Sequence, residues 1–411
     1  MEHFIKCIGC GEEFEGDTVI YSCPKCGDLL EIGYDFGSIR EGIGKSDWAS
    51  RPPSVWRYRE FLPIGPLIEP ITLGEGGTSL HRCPRLGGRM GINRLMVKNE
   101  GENPTGSFKD RGMTVGITKA LELGKRWVAC ASTGNTSASL AAYAAKAGIR
   151  RTVLVPKGGV AYGKIAQAIA HGAEIVEVDG NFDEALRLVI ELAARIPELY
   201  LMNSVNPYRL EGQKTLAFEL FDQLGGRAPD CVVVPVGNAG NISAIWKGFK
   251  ELEASGILDP PLPKMIGIQA EGAAPIAKAF KSGSDAIEPI EKPTTVATAI
   301  RIGRPASWKK ALRAVRESGG LMEAVSDEEI LSAQRMLAAE EGIFVEPASA
   351  SSIAGLMKLK RLGEISGEEE VVCVATGHGL KDPEVIVKSF KGPLSFQDLL
   401  SSTRAMEARA A

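Results

Sequence analysis

No stretch of about 18 apolar residues runs unbroken through these 411 residues, so a membrane-spanning helix is not expected. Nor is there an excess of positive charge, since 48 lysines and arginines stand against 51 acids for a formal net charge of −3. A chain balanced in this way carries no global field for nucleic acid or acidic lipid, and the partner it implies is a small molecule. The opening residues, Met1-Glu2-His3-Phe4-Ile5-Lys6-Cys7, lack the apolar run of a secretory peptide. Internal repeats and low-complexity segments are also missing. The eight cysteines are not spread as disulfide pairs would be: four crowd the first 26 residues, and Cys83, Cys130, Cys231 and Cys373 are scattered singly. Cys130, Cys231 and Cys373 fall in strand-like apolar runs, where a thiol serves as a small buried hydrophobe. The expectation is a cytoplasmic protein.

What is present is a hydrophobic fraction of 44% and a charged fraction of 24%, over a length that favours two catalytic lobes and an appendage. Residues 1–35 read as a cysteine- and glycine-rich knob. Residues 36–93 read as an arm and the start of the body, with the Pro-, Trp- and Arg-bearing stretch Trp48–Pro70 expected to lie extended over it. From Arg94 onward, short apolar runs alternate with longer helical ones. The strands expected are Arg94–Val97, Trp127–Cys130, Thr152–Val155, Glu174–Val178, Cys231–Val234, Met265–Ile268 and Val371–Val374. Continuous apolar strands separated by helices predict an α/β body with largely parallel sheets covered on both faces. Such sheets bind ligands at the carboxyl ends of their strands. The Ala-rich tail from Arg404 to Ala411 is expected to fray.

Four strand ends carry unusual text. Asn103-Pro104-Thr105-Gly106-Ser107-Phe108-Lys109-Asp110-Arg111-Gly112 places a lysine in the first turns of a helix. The positive end of that helix, with partial desolvation, favours the neutral amine, which can form an imine with an aldehyde. The plainer alternative is an exposed helix lysine. Pro235-Val236-Gly237-Asn238-Ala239-Gly240-Asn241 follows a buried strand and opens a helix, a setting in which backbone N–H groups converge on an anion. An ordinary strand-to-helix turn is the alternative, and the spacing departs from the dinucleotide fingerprint G-x-G-x-x-G. Ala131-Ser132-Thr133-Gly134-Asn135-Thr136-Ser137 gathers hydroxyls and an amide suited to a carboxylate or a ring hydroxyl, or simply to helix capping. Thr376, after the last strand, offers a neutral hydroxyl or a cap.

Together these segments resemble those of the threonine synthases, within the fold type II, tryptophan-synthase-β-like enzymes that use pyridoxal 5'-phosphate (PLP). The likeness covers most of residues 50–400, and the motifs stand in the family's order. It implies two lobes with the cofactor between them, the smaller at roughly 113–205 and the larger in the remainder of 94–411. It implies that Lys109 holds PLP as a Schiff base and that Asn135 meets the ring 3'-hydroxyl. Gly237, Asn238, Ala239, Gly240 and Asn241 would cradle the cofactor phosphate, and Thr376 would meet the pyridine nitrogen. A threonine there cannot protonate the ring as a carboxylate would, which moderates the electron sink. Asn203, Ser204 and Arg209 resemble the family's site for a substrate phosphate, Arg209 through a charge-assisted fork. Ser132, Thr133 and Thr136 would hold the amino-acid carboxylate and neighbouring groups.

The activity implied is conversion of O-phospho-L-homoserine and water to L-threonine and phosphate, a lyase reaction of amino-acid biosynthesis by γ-elimination and β-replacement. Alternatives are a cysteate synthase-like replacement on O-phospho-L-serine with sulfite, or a threonine/serine dehydratase. Asn203, Ser204 and Arg209 favour a phosphorylated substrate over the dehydratase. Phosphohomoserine and phosphoserine differ by one methylene, worth only about 1–3 kcal/mol in a pocket. A non-enzyme alternative, a ribbon-bearing binding protein with a retired body, is opposed by the intact Lys109 and the net charge. Closure of the smaller lobe over substrate is expected, with a homodimer as the assembly to test.

Cys7-x2-Cys10 and Cys23-x2-Cys26, twelve residues apart, have the spacing of a zinc ribbon. Four protein thiolates close the shell, so a structural Zn²⁺ is expected in place of a catalytic one. Iron in the same cage, or a ribbon that no longer holds metal, are the alternatives.

Overall fold

A computed structural model describes residues 3–36, 48–158, 162–388 and 392. Residues Met1–Lys381 form one compact unit with three sheets. The first is antiparallel, ordered β2-β1-β3, from β1 (His3–Cys7), β2 (Glu13–Glu15) and β3 (Leu30–Tyr34). Alternate burial along β3 (Leu30, Ile32 and Tyr34 inward) follows the two-residue period of a half-covered sheet.

The second sheet has six strands and the third has four. In chain order come β4 (Leu80–Arg82), β5 (Arg94–Asn99), α1 (Lys109–Glu122), β6 (Trp127–Ala131) and α2 (Asn135–Lys146). They are followed by β7 (Arg150–Pro156), β8 (Glu174–Val178), β9 (Leu199–Leu201), α3 (Pro207–Gln213), β10 (Cys231–Pro235) and α4 (Gly240–Ala254). β11 (Lys264–Ala270), α5 (Trp308–Glu317), β12 (Leu321–Val325), α6 (Pro347–Arg361) and β13 (Glu370–Ala375) complete the set that positions the site. The larger sheet runs β12-β11-β10-β13-β5-β4 and the smaller runs β8-β7-β6-β9. Every pairing in these two sheets is parallel except β4 with β5. Along β10 and β13 all residues are buried, and neighbours point to opposite core clusters: Val232, Val234, Val372 and Val374 to one, Cys231, Val233, Val371 and Cys373 to the other. Two-sided burial is why these strands read as unbroken apolar runs. All seven expected strands are present, and all four strands of the smaller sheet lie between residues 127 and 201.

The structure corrects one reading. Val55–Phe61 is a run of 3₁₀ turns rather than extended chain, and Trp48, Tyr58 and Phe61 belong to the core. Trp48 meets Tyr58 edge-on at 4.9 Å, and Phe61 lies 4.9 Å from Phe218. Aromatic burial without a helical or strand period gives no regular pattern to read. The cysteine-rich knob packs against the body: Ile5, Ile32 and Tyr34 share a core cluster with Met113, Ile117 and Tyr143. Residues from Asp382 form a second unit, described mainly by the short helix Glu384–Lys388; Arg404–Ala411 lie outside the described residues. No helix among the described residues is long and apolar enough to cross a membrane.

Candidate active site

Each motif falls at the carboxyl end of a parallel strand. Lys109 is the first residue of α1, so its amine sits at the positive end of a 14-residue helix. Burial pushes its pKa down to about 7, Arg209 pushes the same way, and Glu346 opposes them. The ammonium lies 4.2 Å from the Phe108 ring centroid, and among the described residues it has neither a hydrogen bond nor an ion pair.

Three segments converge behind this lysine and fix where it starts. Phe108 N–H donates to Thr376 O (3.0 Å), His378 N–H to Gly106 O (2.9 Å), and Glu346 N–H to Gly377 O (3.0 Å). The backbone bridges Ser107–Gly377 and Val345–His378 belong to the same small ladder. Thr376 is buried, its hydroxyl 3.0 Å from that of Ser349. The Ser107 hydroxyl is buried without a partner.

Behind α1, Arg111 is held in two bidentate forks. Nε and an Nη reach Glu100 at 2.5 and 2.7 Å, and the two Nη atoms reach Glu219 at 2.6 and 2.8 Å. Lys98 adds 2.8 Å to Glu219, so two cations and two anions neutralise one another inside the core. This cluster anchors the helix that begins with Lys109.

The loop after β10 ends in Ala239 at φ +66°, the only non-glycine with positive φ among the described residues. A non-glycine in that conformation is strained, and such strain concentrates at functional loops. α4 starts directly after it with no side-chain cap, leaving its first N–H groups open. Asn238 is committed to the scaffold, accepting from Ala306 N–H at 3.3 Å. Asn241 is buried with both ends of its amide unpartnered. A buried amide without partners beside an uncapped helix start fits an anionic ligand such as the cofactor phosphate.

In the smaller sheet, Ser132 to Thr136 are half-buried, and the Ser132 hydroxyl accepts from the N–H groups of Gly134 and Ser137 at 3.3 Å. Asn135, first residue of α2, donates its side-chain N–H to both oxygens of Glu346 at 3.1 Å. Asn203 uses both ends of its amide on the backbone of Ala131 at 3.0 Å, tying β9 to β6. Ser204, half-buried, has no hydrogen bond among the described residues.

Arg209 stands out. It is fully enclosed on α3, donates to Met202 O at 2.9 Å, and leaves Nε unpartnered. Burial pulls its pKa down to about 10, with no carboxylate beside it among the described residues. A guanidinium kept dry without a counter-ion is a seat for an anion. Its approach to Lys109 depends on α1 and α3 touching backbone to backbone: a Cβ on Gly212 would lie 1.8 Å from Arg111 O.

Sequence reasoning missed Glu346 and Gln213. Gln213 is buried on α3 with an unpartnered Oε1, facing the start of α4. Glu346 precedes Pro347 at the start of α6, and an acid there reads as one favoured by the helix dipole.

The four thiols lie within 4.8 Å of one another. Cys7 Sγ is 3.4 Å from Cys26 Sγ, Cys10 Sγ is 3.7 Å from Cys23 Sγ, and Gly9 N–H points at Cys7 Sγ. Tetrahedral thiolates at about 2.3 Å from a metal stand roughly 3.8 Å apart, so the cluster fits a closed four-sulfur shell.

Residues 71–377 match the family model for the pyridoxal-phosphate dependent enzymes, and the chain belongs to that family. A solved structure of threonine deaminase isoform 2 from Solanum lycopersicum superposes with a TM-score of 0.62 at 22% identity, over 80% of this chain and 87% of that one, which shows the shared fold type II architecture. Within the family the chain is one of the threonine synthases. It is 58% identical to the threonine synthase of Methanosarcina acetivorans over 95% of both chains. It is 56% identical to that of Methanocaldococcus jannaschii over 95% of this chain and 96% of the relative.

Proposed function

We propose that the chain makes L-threonine and phosphate from O-phospho-L-homoserine and water, with PLP on Lys109. The observation that carries the substrate is Arg209, a buried cation with no acid beside it among the described residues, within electrostatic reach of Lys109. The cofactor, when bound, supplies the electron sink for a carbanion at the substrate α-carbon. Ser132, Thr133 and Thr136 bind the substrate carboxylate at the start of α2. Arg209, with Ser204 and the remaining hydrogen-bonding capacity of Asn203, holds the phosphate and so fixes the γ-carbon against Lys109. The Lys109 amine, freed as the substrate amino group takes its place, takes the α-proton, then one from the β-carbon, as phosphate leaves the γ-carbon. It returns a proton to the γ-carbon, the hydroxyl of water adds at the β-carbon, a proton returns to the α-carbon, and threonine departs as Lys109 displaces its amino group. Gly237 to Asn241 would hold the cofactor phosphate, Asn135 would hydrogen-bond the ring hydroxyl, and Thr376 would offer its hydroxyl to the ring nitrogen.

Around this centre we place a smaller lobe at roughly 113–205 that closes over substrate, a larger lobe, and a ribbon whose Cys7, Cys10, Cys23 and Cys26 hold a structural Zn²⁺. A cytoplasmic location and a homodimer complete the reading. The test is a substrate panel on PLP-loaded protein: O-phospho-L-homoserine alone, O-phospho-L-serine with sulfite, and L-threonine. Threonine and phosphate from the first establish the reaction. Cysteate from the second with the first inert would overturn the substrate, and a keto acid from the third alone would make the enzyme a dehydratase.

A further inference from the structure

We infer that Glu346 is a positioning residue for the reaction: it fixes which face of the Asn135 amide is turned to the cofactor ring and keeps a negative charge within electrostatic reach of Lys109. The inference rests on the proposed seat of the cofactor at Lys109 and Asn135.

The geometry is specific. Both Glu346 oxygens lie 3.1 Å from Asn135 Nδ2, across the gap between α6 of the larger sheet and α2 of the smaller one. A carboxylate only accepts, so Asn135 must turn its NH₂ this way, which leaves the second N–H of that group to the ring oxygen. With the amide reversed, a carbonyl would face the ring oxygen and oppose its anionic form. Room for the carboxylate comes from Gly377, where a Cβ would sit 2.7 Å from Glu346 Oε1. The ladder that joins Glu346 N–H to Gly377 O therefore places the acid, the Thr376 turn and the Lys109 helix in one rigid piece.

Lys109 feels Glu346 as the influence favouring its proton, against burial and Arg209. Lys381, whose Nζ donates to Thr105 O and Gln167 Oε1, feels both Glu346 and the buried Asp110. His378 lies in the same turn, bridging Val345 through its backbone. Removing the negative charge leaves Lys109 with Arg209 as the dominant neighbour, and a protonated nitrogen there becomes less favourable.

The experiment compares parent, Lys109→Ala, Glu346→Gln and Glu346→Asp proteins loaded with PLP. Each is followed by visible absorbance against pH, by cofactor content and by kcat and KM. Covalently held colour that survives Lys109→Ala would sink the cofactor seat itself, independently of any role for Glu346. With that seat intact, Glu346→Gln is expected to keep its cofactor, to lose the protonated visible band about one pH unit lower than the parent, and to lose about tenfold in kcat with KM little changed, the worth of one charge-assisted hydrogen bond. Glu346→Asp, which keeps the charge but is one methylene short of Asn135, is expected to fall between the two. A parental transition and parental kcat in Glu346→Gln overturn the inference. Should that variant fail to fold, parental values for both in Glu346→Asp overturn it equally.

Discussion

An amine that gives up its proton near pH 7 behaves unlike a lysine in water. Lys109 is held at about 7 by burial and by Arg209, so cofactor-free protein should capture PLP at a rate that rises with pH and levels off above about pH 8. An ordinary lysine would keep climbing toward its usual pKa of about 10.4. Stopped-flow absorbance on added PLP measures this. Replacing Arg209 by Gln removes one of the two influences that lower the amine, so the plateau should move to higher pH. The same variant should raise KM for O-phospho-L-homoserine by roughly 10–100-fold, the value of charged hydrogen bonds to a phosphate, while the visible band of bound PLP persists. Lys109 could be picked out from sequence because its motif stands with three other strand-end motifs in one family's order, and Arg209 because its segment resembles that family's substrate-phosphate site. Glu346 could not, because its partner Asn135 is 211 residues away and only the folded chain shows the bidentate contact.

At the scale of elements, the site depends on two contacts that hold α1. Arg111 joins it to Glu100, just past β5, and to Glu219 through a neutral four-charge cluster. Arg111→Met leaves Glu100 and Glu219 buried with only Lys98, and should cost about 3–5 kcal/mol in urea unfolding. Gly212→Ala forces α3 away from Arg111 O. It should cost roughly 1–3 kcal/mol as an overpacked contact, and it should raise KM along with the loss of stability because Arg209 rides on the displaced helix. The strands β5, β6, β7, β10, β11 and β13 were legible because burial on both faces imposes a continuous apolar signal. The three-residue strands β4 and β9 were not, since so few residues carry no period, and Val55–Phe61 packs its aromatics from 3₁₀ turns that match neither template.

Across the whole molecule the ribbon touches elements from both sheets. The Tyr21 hydroxyl accepts from Leu201 N–H on β9 at 2.8 Å, and Tyr34 donates to Glu211 on α3 at 2.5 Å. Lys247 on α4 donates to Ile32 O at 2.7 Å, and Lys310 on α5 to Leu30 O at 2.7 Å. Burial beneath the ribbon pushes the Lys310 ammonium down to about 8. Metal held by Cys7, Cys10, Cys23 and Cys26 should therefore stabilise far more than its own few residues. Stripping it with a chelator is expected to lower Tm by roughly 5 °C or more and to open the first 36 residues to protease, with elemental analysis reading about one zinc per chain beforehand. An unchanged Tm in metal-free protein would make the ribbon a passenger. The two cysteine pairs were plain in the sequence, but the docking was not, because the tyrosines and lysines that make it are ordinary surface types until a partner covers them.

The bond from Lys310 to Leu30 O spans 280 residues, and it sets an order in time. At about 5–20 residues per second, Leu30 leaves the ribosome some tens of seconds before the helix that will receive it. During that wait the ribbon has no body to lean on. If its thiols hold the proposed zinc, that ion can tie the small sheet together early, so zinc supply during synthesis should bear on the yield of folded enzyme more heavily than on the activity of enzyme already made.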